Sequence, residues 1–223
     1  MRVLLVLLLG AQAVLGAAAT NLFETNPALF AQASQRSLAM DSVNNELIAA
    51  AVLHETNRHR RQRNLQPLKG DSKAMEAARI QSEIMRNRGS ISHVNPENEK
   101  YRTLDQRVKA AGLKPRMFAE NVATAFALRY EGGKPYYPDT RNGRTVFRHQ
   151  PNGPPMQAHS YASFAKALVD SWMGSKGHRE NILRKEAQFM GSYCAPAPGK
   201  GSEMPIFYCT QVFFAPLPQA RGN

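Results

Sequence analysis

The chain has 223 residues, 43% of them apolar and 21% charged, with 15 Gly and 14 Pro. That fits one ordinary domain with appendages, since domains run about 100 to 200 residues, and it excludes repeat arrays, collagen-like chains and wholly disordered chains. Lysine and arginine outnumber acids 29 to 17, a formal charge of +12 that favours polyanionic partners.

Residues 1–19 have the layout of a signal peptide: Met1-Arg2, an unbroken apolar run from Val3 to Leu9, then small residues ending Ala17-Ala18-Ala19. The run is too short for a membrane span, which needs about 20 apolar residues. Cleavage after Ala19 satisfies the small-x-small rule, with Gly16 and Ala17 as neighbouring sites, and loss of Arg2 leaves a charge of +11. The chain is therefore expected to be secreted or periplasmic, and nucleic acid is not expected as its partner. In an oxidising compartment Cys194 and Cys209 are expected to form a disulfide, worth about 3 kcal/mol in the chain-entropy picture.

Residues 20–42 carry no long apolar periodicity and read as a loosely attached extension. The domain proper is expected over 43–216, with a tail at 217–223. A helix over 43–63 should close at Asn64, which tolerates the left-handed conformation. Asp71 or Ser72 should cap a second helix, with Met75, Ala78, Ser82 and Met85 on one face and Gly89 as its stop. A third, charged helix spans about 101–111 and ends at Gly112. The stretch 129–157, rich in Gly, Pro, Tyr and Arg, reads as a long loop insertion. Helical spacing returns with Tyr161, Phe164, Ala165, Leu168 and Trp172, followed by a short helical turn at 179–183. Finally, 188–194 and 206–214 read as an antiparallel hairpin. Ile206, Tyr208 and Val212 alternate with Phe207, Cys209 and Phe213, so both sheet faces are covered.

His54 and His59 look like a zinc-protease pair, but that chemistry needs histidines four apart, about 40° around a helix; five apart is about 140° and cannot share one metal. The basic run at 58–63 suits a solvated helix end. More suggestive are His93, His178 and, between them, Glu120 in the apolar segment Ala119-Glu120-Asn121-Val122-Ala123. One carboxylate and two imidazoles make a metal or acid/base kit, or a set of structural histidines held by hydrogen bonds.

Together these segments resemble the CAP superfamily of cysteine-rich secretory, antigen 5 and pathogenesis-related 1 proteins, in its bacterial SCP-domain form. The resemblance rests on Asn57-x-x-Arg60, Leu65-x-Pro67-Leu68, Ser92-His93, the Glu120 segment, Trp172-Met173-x-Ser175-x-Gly177-His178-Arg179-x-Asn181-Ile182-Leu183, and Tyr208-x-Thr210-Gln211-Val212-Phe213. It implies an α+β fold, an α-β-α sandwich with a small antiparallel sheet between helical layers. It also implies a cleft formed by His93, Glu120 and His178, with Ser175 where many members have a second glutamate, and zinc on His93 and His178. Glu120 would orient one ring or a bound water, or accept hydrogen bonds from backbone amides.

Three functional classes follow. The first is a non-catalytic binding or scaffold module of the cell envelope or extracellular space, taking a lipid, glycan or peptide. The second is a His- or metal-dependent hydrolase, for which only Ser92, Ser160 and Ser175 offer hydroxyls near the motifs. The third is charge-driven adhesion to anionic lipids or wall polymers. Tyr136, Tyr137, Arg141, Arg144 and Arg148 of the insertion are candidate ligand contacts near the cleft.

Overall fold

The computed structural model describes residues 27–199 and 201–218; the expected signal peptide and the last five residues of the tail lie outside them. Six helices and six strands follow in the order α1 (Pro27–Ser34), α2 (Asn45–Arg61), β1 (Lys69–Gly70), α3 (Ser72–Arg88), α4 (Leu104–Ala110), β2 (Pro115–Phe126), β3 (Tyr137–Arg141), β4 (Arg144–Arg148), α5 (Tyr161–Gly174), α6 (Lys176–Ile182), β5 (Phe189–Ala197) and β6 (Ile206–Pro216). A 3-10 turn, Glu99–Tyr101, leads into α4.

The main sheet has the order β1-β5-β6-β2. The β5–β6 and β6–β2 pairs are antiparallel, while the two-residue β1 adds to β5 in parallel, which makes the sheet mixed at that edge. Strand alternation sends Phe207, Cys209 and Phe213 into a cluster with α2 and α5, and Val212 and Phe214 into one with α3 and α4. The sheet is thus covered on both faces, an α-β-α sandwich built as the apolar pattern of β6 requires. Cys194 and Cys209 are direct partners across β5–β6 and form a disulfide.

Local signals explain the element ends. Asn44 caps α2 by accepting from Leu47 N, and Asn64 leaves it at φ 55°. Asp71 caps α3 by accepting from Ala74 N, and Gly89, at φ 75°, ends it. Glycine at 191 on β5 is demanded by packing: a Cβ there would overlap the backbone of Ala74 and Met75, where α3 lies against the strand. The buried face of α3 runs through Ala74, Ala77, Ala78, Gln81, Ser82 and Met85, and Met75 sits beside it, half-buried.

Two expectations are corrected. The described part of the extension is docked, since α1 packs near α2 and α5 and Leu38 is 2% exposed in the main core. Leu38 N donates to His159 O at 2.7 Å and Tyr161 N to Arg36 O at 3.2 Å, anchoring the segment to the start of α5. The insertion 129–157 contains a hairpin: β3 and β4 pair from Tyr137 with Arg148 to Arg141 with Arg144. Its two-residue turn is Asn142-Gly143, both at positive φ, the combination whose twist suits a tight hairpin. Charge and proline around it obscure that signal in the sequence.

Candidate functional site

Strand β2 is an edge of the main sheet, and Glu120 and Asn121 sit at its middle. Consecutive side chains leave opposite faces of a strand, so Glu120 is delivered to the α3–α4 side and Asn121 to the side of α5 and α6. The site forms where the two layers meet around this edge.

The Glu120 side chain is 2% exposed, and both oxygens are engaged. Oε2 accepts from Arg107 Nη2 at 2.8 Å, and Oε1 meets His93 Nδ1 at 2.9 Å. Arg107, on α4, has a side chain with 0% exposure and also donates to the carbonyls of Tyr101 at 3.1 Å and His93 at 3.3 Å. It thus fixes the carboxylate and the backbone of the histidine that the carboxylate holds. The expectation of backbone amides around Glu120 is replaced by this guanidinium. Because a carboxylate accepts, the His93 ring donates from Nδ1 and leaves Nε2 toward solvent on a side chain that is 55% exposed.

The loop that carries His93 is itself anchored. Buried Gln81 donates from Nε2 to Ser92 O, while its Oε1 accepts from Asn95 Nδ2 at 2.7 Å. Asn95 Nδ2 reaches Tyr101 O at 3.0 Å, and Asn95 N donates to Arg102 O at 2.9 Å. Ser92 Oγ closes a local turn with Val94 O at 2.6 Å.

His178 lies on α6, tied to β2 through asparagines. Asn121 Nδ2 donates to His178 O at 3.2 Å, and Asn181 Nδ2 to Glu120 O at 3.2 Å and Asn121 Oδ1 at 2.9 Å. Behind them Asn121 Nδ2 reaches Gln211 Oε1, whose amide donates to Thr56 Oγ1 at 2.8 Å. Buried Arg60 holds the end of α6, donating from Nη1 to the carbonyls of Ile182 and Arg184 at 2.7 and 2.9 Å. Asn57 forms a two-way pair with the backbone of Leu68. Asn121 and Asn181 therefore tie the helix that carries His178 to the strand that carries Glu120, with Gln211 behind Asn121 and Arg60 at the helix end.

The two imidazoles titrate in opposite directions. The hydrogen bond to Glu120 raises His93 above the ordinary histidine value, against burial and the charge of Arg107. Burial lowers His178, and the charge of His93 adds to that, so the two rings lie within electrostatic reach. Ser175 is exposed at the start of α6, where its side chain makes no capping hydrogen bond. Among the described residues no group of three His, Cys, Asp or Glu is arranged to hold a metal ion. Both carboxylate oxygens of Glu120 are taken by Arg107 and His93.

Among the described residues, none of the hairpin side chains forms a hydrogen bond or ion pair with His93, Glu120 or His178. Phe126, which leads into the insertion, is six residues along β2 from Glu120, about 20 Å at strand rise. Tyr136 packs on Tyr130 and Phe147, and Tyr137 is exposed. Arg141 pairs with Asp139 at 3.1 Å, Arg148 donates to Gly153 O at 2.6 Å, and Arg144 is exposed beside the turn. Arg107 was the site residue hidden in the sequence, where it stands in a charged helix. The spacing of Val108 and Ala111 beside it was the available sign that one face of that helix is buried.

Several solved structures are similar to this chain. An extracellular protein containing an SCP domain from Bacillus anthracis matches with a TM-score of 0.50 and 20% identity, over 77% of this chain and 41% of that one. The chain thus spans about two fifths of that protein's length. An outer surface protein from Borrelia burgdorferi matches at 0.49 and 15% identity over 74% of this chain and 90% of that one. A cysteine-rich secretory protein from Staphylococcus aureus matches at 0.45 and 16% over 77% and 39%. No curated protein matches significantly. The profile of the cysteine-rich secretory protein family matches residues 53–213, from within α2 to β6 and across all three cleft residues. The chain belongs to the cysteine-rich secretory protein (CAP) family.

Proposed function

We propose that the chain is an exported CAP-domain module that binds a ligand at the His93–Glu120–His178 cleft without turning it over. The observation that carries this reading is the Arg107–Glu120 ion pair at 2.8 Å. It neutralises the one carboxylate of the cleft and occupies an oxygen that a general base or a third metal ligand would need free. A hydrolase with a serine nucleophile would also need a hydroxyl placed on an imidazole. Ser92 Oγ is held in its local turn and Ser160 Oγ caps α5, while Ser175 is exposed with no hydrogen bond to either cleft histidine among the described residues.

Export is supported by the signal-peptide layout of residues 1–19, by the Cys194–Cys209 pair and by the likeness to the extracellular Bacillus protein. A zinc ion on His93 and His178 would be completed by water and would supply an exposed Lewis acid, readily lost to chelators. The test is to purify the chain gently from its native compartment and identify by mass spectrometry and elemental analysis what lipid, glycan, peptide or metal travels with it. A ligand that is present with the wild type and absent from His93→Ala/His178→Ala supports the reading. An empty wild-type cleft, or hydrolysis of a captured ligand, overturns it.

A further inference from the structure

A concavity lies at the Phe126 end of β2, bounded by the insertion, the end of α3 and the β5–β6 connection. It is a groove of about 720 Å³, within the range of small-molecule sites. One wall is an aromatic ladder: Phe126 packs edge-on to Tyr130 with ring centroids 4.7 Å apart, and Tyr130 edge-on to Tyr136 at 5.8 Å. Phe126 remains exposed at the open end of this ladder. The opposite rim carries Arg86 and Arg88. Arg86 donates from Nε and Nη2 to the amide oxygen of exposed Asn87 at 3.2 and 3.1 Å, and no ion pair holds it among the described residues. Arg88 stands 3.5 Å from Glu97. Glu203 is the one acid in the lining.

We infer that this groove binds an acidic oligosaccharide, with a sugar ring against Phe126 and a carboxylate on Arg86. Aromatic faces offer apolar contact to the C–H side of a sugar, while arginine matches a carboxylate with two parallel donors. Glu203 and the Asn87 amide sit among these groups as partners for hydroxyls. The same features disfavour single-stranded nucleic acid. Successive bases need successive open ring faces, whereas the interplanar angles of 76° and 81° here turn each ring's edge to its neighbour. A single-stranded DNA chain, which lacks the 2′-hydroxyl, would also meet the Glu203 carboxylate without a compensating hydroxyl donor. The chain's charge of +12 favours the acidic sugar over a neutral one.

The test is calorimetric titration of the folded chain with trigalacturonic acid, with its trimethyl ester and with a thymidine octanucleotide, at low and moderate salt. The acid is expected to bind, and the ester at least about tenfold more weakly, because it loses the charge-assisted hydrogen bonds. Arg86→Gln is expected to weaken binding of the acid by about tenfold and to flatten its salt dependence. Phe126→Ala should weaken it about fivefold. His93→Ala/His178→Ala should leave it unchanged, which separates this site from the cleft. Arg86→Gln removes only a surface contact, so an unchanged unfolding temperature accompanies the expected loss. No binding of the acid, equal binding of the ester, preference for the oligonucleotide, or loss only in the histidine variant overturns the inference.

Discussion

Arg107 and Glu120 form an ion pair at 2.8 Å with both side chains out of solvent, one from a seven-residue helix and one from the edge strand of the sheet. Breaking such a pair by removing one partner leaves a buried charge uncompensated, at a cost of about 3–5 kcal/mol. Arg107→Met is therefore expected to lower unfolding free energy by that amount in urea denaturation. Arg107→Met/Glu120→Leu should recover much of the loss. A single variant within about 0.5 kcal/mol of wild type would show that the pair is not buried as described.

The cleft histidines should titrate apart. His93 is expected above the ordinary value of 6.5 and His178 below it, read by NMR of the ring nitrogens. Glu120→Gln removes the carboxylate and should bring His93 down. His93 binds its proton more tightly in the folded chain, so its contribution to stability is complete below about 6.5 and lost as pH rises through the folded value. His178 acts oppositely: its contribution is present above about 6.5 and lost as pH falls through its lowered folded value. A His93 midpoint at or below that of His178 would contradict the Glu120 contact.

Zinc added to metal-free protein should bind weakly, through His93 and His178. Either substitution to alanine is expected to reduce affinity by about 10- to 100-fold, and a chelator should strip the ion without unfolding the chain. Tight binding that persists in His178→Ala would place the metal elsewhere. Equilibrium dialysis with metal analysis distinguishes the outcomes.

The Cys194–Cys209 bridge closes a loop between adjacent strands, with a sequence separation of 15. Its removal in Cys194→Ala/Cys209→Ala should cost about 3 kcal/mol, measured by chemical denaturation of the oxidised wild type against the variant. An equal stability of the two would mean that the β5–β6 pairing already holds this loop closed in the unfolded ensemble.

Gly191→Ala should be among the most damaging small changes. The added methyl has no flexible neighbour to displace, because it meets the backbone of Ala74 and Met75. Separation of α3 from β5 is expected to cost about 3 kcal/mol or more. Thermal unfolding of the variant, compared with Gly177→Ala in open space on α6, tests whether the close approach is the cause.

Local order was legible because its causes are local. Gly89, Gly112 and Asn64 stop or turn the chain through their own positive φ, and the alternation of Phe207 and Tyr208 on β6 declares a sheet covered on both faces. The family motifs singled out His93 and Glu120, whose side chains meet at 2.9 Å, and paired strands brought Cys194 opposite Cys209. Asn142-Gly143 shows a local signal that was present but outweighed by the charge and proline around it.

What the tertiary structure decided is which charges are answered, and by what. In sequence Arg107 is one cation among 29; only the placement of α4 on α3, within reach of β2, turns it into the partner of Glu120. The same holds for Leu38, whose burial comes from docking on the start of α5, and for the insertion, whose aromatics line a groove together with the end of α3. The periodicity of a segment determines which of its faces is apolar. The partner of a buried charge depends on which distant segment the fold lays against it, and no local spacing carries that information.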